Sequence, residues 1–336
     1  MSAAIPAGEA RTVAVVGGGT SAEHEVSLGS AAGVVAALAE AGHHPVALTI
    51  APDGSWRTGT GDPLGLDAVV RLLGAVDVVL PMLHGRGGED GTLAALCELV
   101  GVPYVGTPLV GSAIGMDKWA SKLVARELGI RVADAVLLTR DAAVPSWPDP
   151  VVVKPVGAGS SRGVTLVRRP EELPAALEAA FALDERVLVE EVVVGREVDL
   201  AVLGRADGSR LVPPALEIAT EGFFDYEAKY GGGARFLVPA PLDDVAARRL
   251  RAAAIAMYDA LGCRGVARID FFLTDDGEPV FNEINTIPGF TAASQVPRMF
   301  AAAGIDYPQL VDLLVTEALS AAPGGTRHGV LAPLPA

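Results

Sequence analysis

Arg268 and Asp270 stand two residues apart in Gly265-Val-Ala-Arg-Ile-Asp270, and Glu283 and Asn285 two apart in Phe281-Asn-Glu-Ile-Asn285. Strand side chains alternate faces, so each pair shares one face of its strand. Between the runs, Asp275-Asp276-Gly277 carries the Asp-Gly signature of a hairpin turn. A hairpin centred there sets Asp270 opposite Glu283, or within one residue of it. One sheet face then bears two carboxylates, an amide and a guanidinium. Carboxylate and amide oxygens are the hard ligands that a Mg²⁺ with bound phosphates takes. The guanidinium beside them can stabilise charge developing on a reacting carbonyl or phosphate. The same face would also serve as a solvated hairpin laced with salt bridges.

Other stretches offer further chemistry. Gly157-Ala-Gly-Ser160-Ser161-Arg-Gly163 lets backbone N–H groups approach an anion, with Lys154 just upstream, although no Gly-Lys-Ser/Thr follows and a plain surface hairpin reads the same way. His84-Gly-Arg-Gly-Gly-Glu89-Asp90-Gly91 sits after a strand and before a helix, where open α/β sheets bind ligands. It reads as a small-substrate site or as a glycine loop, with Glu89 and Asp90 expected to serve the helix N-terminus. Ser21-Ala-Glu23-His-Glu25 follows the first strand onto the same sheet edge, and a carboxylate there can hold an amino group. Phe223 to Gly231, with Lys229 and Tyr230, reads as a covering lid or as a loop packed on the core. Gly17 to Gly19 lack the dinucleotide spacing and no acid suitably ends the second strand, which excludes a nicotinamide enzyme.

The elements that must position these groups alternate. Strands are expected at Thr12–Gly17, Pro45–Ile50, Val76–Pro81 and Val102–Tyr104, with helices at Ser27–Ala41 and Leu93–Val100, the pattern of a parallel α/β sheet. A small α+β unit follows: helix Asp117–Leu128, strands Val151–Lys154, Val164–Val167 and Val187–Glu190, and helix Glu171–Leu183. A third holds strand Glu197–Leu203, helix Leu242–Leu261, the opening hairpin and a closing helix at Tyr307–Leu319. The expected domains are 1–108, 109–189 and 190–320, with 321–336 a loose tail rich in Gly, Pro and Ala.

The totals agree. A chain of 336 residues, half of them hydrophobic, supports two or three folded domains. A net charge of −15 argues against nucleic acid and anionic membranes as partners. Only Lys118, Lys122, Lys154 and Lys229 are lysines among 26 basic residues, so each marks a candidate point charge for phosphate. Cys97 and Cys263 read as buried reduced thiols, which suits a reducing compartment. The N-terminus is not expected to be a signal peptide, and no apolar run reaches about 18 residues.

His84 to Gly91, Met116-Asp-Lys118, Lys154-Pro with Gly159-Ser160-Ser161, Tyr226-Glu-Ala-Lys229-Tyr230, Arg268-Ile-Asp270 and Glu283-Ile-Asn285-Thr-Ile-Pro288-Gly289 occur in order and register. Together they resemble the D-alanine–D-alanine ligases of the ATP-grasp superfamily, from about residue 12 to 318. The resemblance implies a three-domain fold of mixed α/β and α+β character. It implies a cytoplasmic enzyme of peptidoglycan synthesis, a homodimer, joining two D-alanines through an acyl phosphate with ATP and two Mg²⁺ (Mn²⁺ as a substitute). By similarity Lys118 and Lys154 contact ATP phosphates, Glu190 and Val193 line the adenine hinge, and Glu197 holds the ribose. Asp270, Glu283 and Asn285 bind metal, while Arg268 and the Gly289 N–H form the oxyanion site. Glu23, linked to Ser160 and Tyr230, holds the first substrate's ammonium beside His84. Ser294 with Lys229 receives the second substrate's carboxylate. Arg162, Ala292-Ala293 and Gln295 depart from the family's commonest residues. A ligase with another acceptor, such as D-serine or a hydroxy acid, is the alternative, and a non-catalytic nucleotide-binding paralogue a more distant one. The Glu-Ala-Lys-Tyr lid favours an amine acceptor.

Overall fold

The structure, a computed structural model, describes residues 9–142, 150–219 and 235–321, and three β-sheets organise them. The expected lid residues Lys229 and Tyr230, and the tail beyond Ala321, lie outside the described residues.

The first sheet is built on β1 (Thr12–Gly18), apolar nearly throughout, as a strand buried on both faces of a parallel sheet must be. β2 (His44–Ile50) pairs with it in parallel, and β3 (Trp56–Thr58) and β4 (Pro63–Leu64) continue beyond as antiparallel strands. β5 (Val78–Pro81) flanks β1 on its other side, also in parallel. The expected parallel sheet thus carries an antiparallel edge. Val102–Tyr104 makes only one bridge, Val79 to Tyr104, because Pro103 has no N–H to continue a ladder. An added Cβ at Gly17 would stand 2.5 Å from the Ala31 Cβ, and one at Gly18 2.3 Å from the Ile50 carbonyl oxygen. These glycines serve close packing of strand and helix, not a dinucleotide. The first helix spans His24–Glu40 and begins before Ser27. Ser27 faces inward instead: its hydroxyl accepts from Gly18 N at 2.8 Å and donates to the Met82 carbonyl at 2.5 Å.

The helices Leu109–Met116 and Lys118–Glu127 lead to β6 (Arg131–Val132). β7 (Ala135–Thr139), β8 (Val151–Pro155), β9 (Thr165–Val167) and β10 (Arg186–Glu191) form the second sheet in the order β7-β10-β8-β9, all antiparallel. Its own small core packs Val153, Val187 and Val189 against the helix Leu173–Phe181.

The third sheet comprises β6 together with β11 (Arg196–Gly204), β12 (Arg210–Leu211), β13 (Leu216–Ala219), β14 (Arg235–Leu237), β15 (Val266–Leu273) and β16 (Pro279–Asn285). Its order is β14-β13-β11-β15-β16-β6, with β12 beside β11. On one face Val198, Leu200, Ile269 and Phe271 pack against the helices Lys118–Glu127 and Asp244–Ala260. On the other, Ala201, Leu203 and Val266 share a core with Val13, Val15 and Leu80 of the first sheet, through Phe300 of helix Gln295–Ala302 and Leu314 of helix Tyr307–Ala321. Residues Asp199, Arg268 and Asp270 continue that second face by alternation. One face is therefore apolar where it meets the first sheet and charged where it does not. Cys97 and Cys263 are buried and free. Among the described residues no helix is long and apolar enough to cross a membrane.

Candidate active site

β15 and β16 meet as the sequence pattern requires: Asp270 pairs with Glu283, and Arg268 with Asn285. The register then shifts, Phe271 pairing with Phe281, so that Asn282 is the extra residue of a bulge. Phe281 and Ile284 both lie in the core behind the sheet, which turns Asn282 as well as Glu283 to the site face. Strict alternation would have hidden Asn282, and nothing in the sequence announces the bulge. Arg268 forks onto Asp270, Nε to Oδ1 and Nη2 to Oδ2 at 2.7 Å each, and Nη1 donates to Gln295 Oε1 at 2.8 Å. Asn285 Nδ2 donates to Asp270 Oδ2 at 3.0 Å. Burial works against the charge of Arg268, but Asp270, with Asp199 and Glu283, outweighs it and the net shift is upward.

Three of the four lysines converge nearby. Lys118 opens its helix behind the N-cap Asp117, whose Oδ1 accepts from Ala120 N at 2.9 Å. The Lys118 ammonium donates to the Ala158 carbonyl at 2.9 Å and lies 3.1 Å from Glu283 Oε2. Burial works to lower its pKa, and the charge and hydrogen bond of Glu283, with the charges of Glu89 and Glu190, together carry it above its ordinary value. Lys154, on β8, lies 2.5 Å from Glu190 Oε2 and donates to Asn282 Oδ1 at 3.3 Å. Lys122, a candidate by the scarcity of lysine although the resemblance gives it no role, lies 2.9 Å from Glu190 Oε1. Burial brings Lys122 down to about 8 against the pull of Glu190. Burial would lift the Glu190 carboxyl, but Lys154 and Lys122 carry it below its ordinary range. The scarcity of lysine marks Lys122, and its place one helical turn past Lys118 puts both on one helix face.

A second cluster joins the first sheet to the loop of the second. The Ser160 hydroxyl donates to Glu23 Oε1 at the start of the first helix. Ser160 and Ser161 have φ of 51° and 54°, the left-handed region that non-glycine residues enter at a cost. A Cβ at Gly159 would stand 2.4 Å from Glu23 Oε2, so a side chain there would push the Glu23 carboxylate off its bond to Ser160. His84 Nδ1 donates to the Ile287 carbonyl at 2.9 Å, which leaves Nε2 to accept from Ser30 Oγ at 3.0 Å. Ser30 Oγ also accepts from Phe290 N at 3.2 Å. The buried ring, its pKa lowered by burial against the charge of Glu23, thus braces the segment on both sides of Gly289. Asp90 serves the next helix as expected, accepting from Thr92 N at 3.0 Å. Glu89 does not: it turns back to accept from Gly85 N at 2.7 Å. Burial, then the charge of Glu23, raises Glu89 to about 8.

A cleft of about 490 Å³ runs between the second and third sheets. It gathers Lys118, Lys154, Ser160, Glu190, Val193 and Glu197 with Arg268, Asp270 and Glu283, and adds Lys122, Asn282, Asp199 and Gln295. Ser294 lies to one side, its Oγ accepting from Thr291 N at 3.0 Å, and a Cβ on Gly289 would meet that Oγ at 3.5 Å. Among the described residues no three His, Cys, Asp or Glu form a group able to hold a metal alone. Asp270, Asn282, Glu283 and Asn285 offer hard oxygens on one face, a donor set that suits a Mg²⁺ sharing its shell with phosphate and falls short of an all-protein cage.

The comparisons with known proteins run the length of this arrangement. Residues 12–107 match the family profile of the D-ala D-ala ligase N-terminus, and residues 127–316 that of the D-ala D-ala ligase C-terminus. A D-alanine–D-alanine ligase of Mycolicibacterium vanbaalenii is 41% identical over 93% of this chain and 98% of its own. Among solved structures, the VanG D-Ala:D-Ser ligase of Enterococcus faecalis aligns with a TM-score of 0.80 at 36% identity, over 92% of this chain and 100% of that one. The ATP complex of the Bacillus anthracis D-alanine–D-alanine ligase aligns with a TM-score of 0.78 at 30% identity, over 92% and 98%. With both halves of its length matched in order and the ATP-grasp architecture shared, the chain belongs to the D-alanine–D-alanine ligase family.

Proposed function

We propose that this protein joins two D-alanine molecules at the expense of ATP, through an acyl phosphate, to supply the dipeptide of peptidoglycan precursors. The observation that carries the reading is the cleft in which lysines from two elements face the Arg268–Asp270–Glu283 array. Lys118 and Lys154 neutralise the phosphates, and Lys122 and Glu190 hold Lys154 in place. With the Glu190 carboxylate engaged in this way, the chain around Val193 meets the adenine and Glu197 the ribose. Asp270, Glu283 and Asn285 would hold Mg²⁺, which spreads the charge of the transferred phosphoryl group.

Glu23 binds the ammonium of the first D-alanine, with Ser160 and Tyr230 orienting it. A carboxylate oxygen of that substrate bonds to the γ-phosphorus as the β–γ bridge breaks and ADP leaves. The neutral amine of the second D-alanine, seated at Ser294 and Lys229, then attacks the acyl carbon. The tetrahedral oxyanion rests on Arg268 and the Gly289 N–H. The C–O bond to phosphate breaks, the nitrogen gives up its extra proton to the departing phosphate, and the amide remains. Closing the Ser160 loop excludes the water that would hydrolyse the acyl phosphate.

The same reading gives domains at 1–108, 109–189 and 190–320; the three sheets support three units, but the helix Lys118–Glu127 and β6 join the third, and β10 of the second sheet runs to Glu191. It places the enzyme in the cytoplasm with its nucleotide and pairs two copies, for which sedimentation at micromolar concentration is the check. The main test is ADP release with ATP and Mg²⁺ on D-alanine, D-serine, D-lactate, L-alanine or no acceptor, with the product identified. Turnover is expected to be fastest on D-alanine alone and to yield the dipeptide. Faster formation of a mixed D-alanyl–D-serine product would move the acceptor to that of the VanG enzyme, and no turnover on D-alanine would overturn the reading.

A further inference from the structure

We propose that Gln295 is a positioning residue for Arg268, its amide joining the guanidinium to the buried carboxylate of Asp199. The inference rests on the reading of Arg268 as the holder of the tetrahedral oxyanion. A guanidinium has five N–H groups. Nε and one Nη2 hydrogen go to Asp270, and one Nη1 hydrogen to Gln295 Oε1. One N–H on each terminal nitrogen remains for a reacting oxygen in the cleft that Arg268 lines. The Asp270 fork fixes one edge of the guanidinium. Gln295 fixes the far nitrogen and so sets the direction of the remaining donor.

The position demands a side chain that accepts at one end and donates at the other. Gln295 Nε2 donates to Asp199 Oδ2 at 2.6 Å. Asp199 is fully buried on β11, directly across the ladder from Asp270, and its Oδ2 lies 3.6 Å from Arg268 Nε. An aliphatic residue at 295 would take a hydrogen-bond partner from both the guanidinium and a buried carboxylate, and a glutamate would set two carboxylates against each other. Gln295 also follows Ser294 directly and begins the helix Gln295–Ala302. One residue thus ties the seat of the second substrate's carboxylate to the seat of the oxyanion, and any shift of that helix start on acceptor binding reaches Arg268 through the Nη1–Oε1 hydrogen bond.

The test compares Gln295→Met, Gln295→Glu and the swap Gln295→Glu/Asp199→Asn in the full-length protein, with Arg268→Met alongside. Steady-state kinetics in D-alanine and ATP are read with nucleotide affinity and thermal melting. Both single variants are expected to lose about 10- to 100-fold in kcat while KM for ATP stays within about twofold, the mark of an interaction felt in the transition state. In the swap the new amide on β11 donates to the new carboxylate at the helix start, and that carboxylate accepts from Arg268. The kcat of the swap is therefore expected to return to within about fivefold of wild type. Wild-type kcat in both single variants, equal losses of nucleotide affinity and kcat, or a swap no better than Gln295→Glu alone would each overturn the proposal. Should Gln295→Glu fail to fold, Gln295→Met carries the comparison. Full turnover in Arg268→Met would instead overturn the reading of Arg268 itself, whatever the Gln295 variants do.

Discussion

The β15–β16 face and the Glu23–Ser160 corner use the same groups, carboxylates opposed by donors, and hold them in opposite ways. On the face, Arg268, Asp270, Glu283 and Asn285 are set by strand register, with Ile269, Phe271 and Ile284 packed behind them. Their geometry exists whenever the sheet exists. In the corner, Glu23 begins a helix of the first sheet's unit while Ser160 sits on a loop of the second, at a φ that costs about 1 kcal/mol or more. That geometry exists only while the two units are together. The groups proposed to bear charge in the transition state thus stand on strands, and those proposed to enclose the substrate stand where two units meet.

The largest predicted effect breaks the face. Glu283→Gln removes the charge opposite Lys118 and a hard oxygen donor from the proposed metal shell. Turnover is expected to fall by about 10³-fold, with the melting temperature within a few degrees of wild type. Substantial activity at saturating Mg²⁺ would take Glu283 out of the metal site. A smaller effect is expected in the corner. Ser160→Ala removes the bond to Glu23 and leaves the face untouched, so kcat should fall by about 10- to 100-fold, one to two hydrogen bonds' worth of orientation. Because Ser160 and Glu23 share that bond, the double variant with Glu23→Gln should be little worse than Glu23→Gln alone. Additive losses would show that the two act separately and that the closed corner is not one unit.

The contrast also explains what the sequence could disclose. The face was legible because a period of two and an Asp-Gly turn fix which residues meet, and Asp270 does pair with Glu283. Asn282 was not, since a one-residue bulge reverses alternation without a residue type that marks it. The corner was legible only through the resemblance: Glu23 and Ser160 lie 137 residues apart and no local pattern joins them. The contact between Gln295 and Asp199 stayed hidden for the same reason, a side-chain contact across 96 residues. In the fold, the apolar runs gave β1, β2 and β5. The short strands β3, β4 and β6 escaped, being two or three residues long and held by neighbours rather than by pattern.

Glu89 supplies the smallest effect and the sharpest comparison, because it is a buried carboxylate of the corner with no cation in hydrogen-bond contact among the described residues, unlike Asp270 on the face. Burial and the charge of Glu23 raise its pKa from an ordinary 4.5 to about 8. A raised folded pKa means that unfolding releases a proton at any pH between these values, so stability is full below about 4.5 and declines as pH rises towards about 8. Glu89→Gln mimics the protonated form and lacks that decline. Relative to wild type, the variant should therefore gain several degrees of melting temperature between pH 5 and about 8.5, with the two proteins nearest each other at the acid end. Melts of the ligand-free proteins across that range test it. Parallel curves would mean that Glu89 keeps its charge through the whole range, paired as fully as the carboxylates of the face, and the distinction between the two regions would then rest on the Ser160 loop alone.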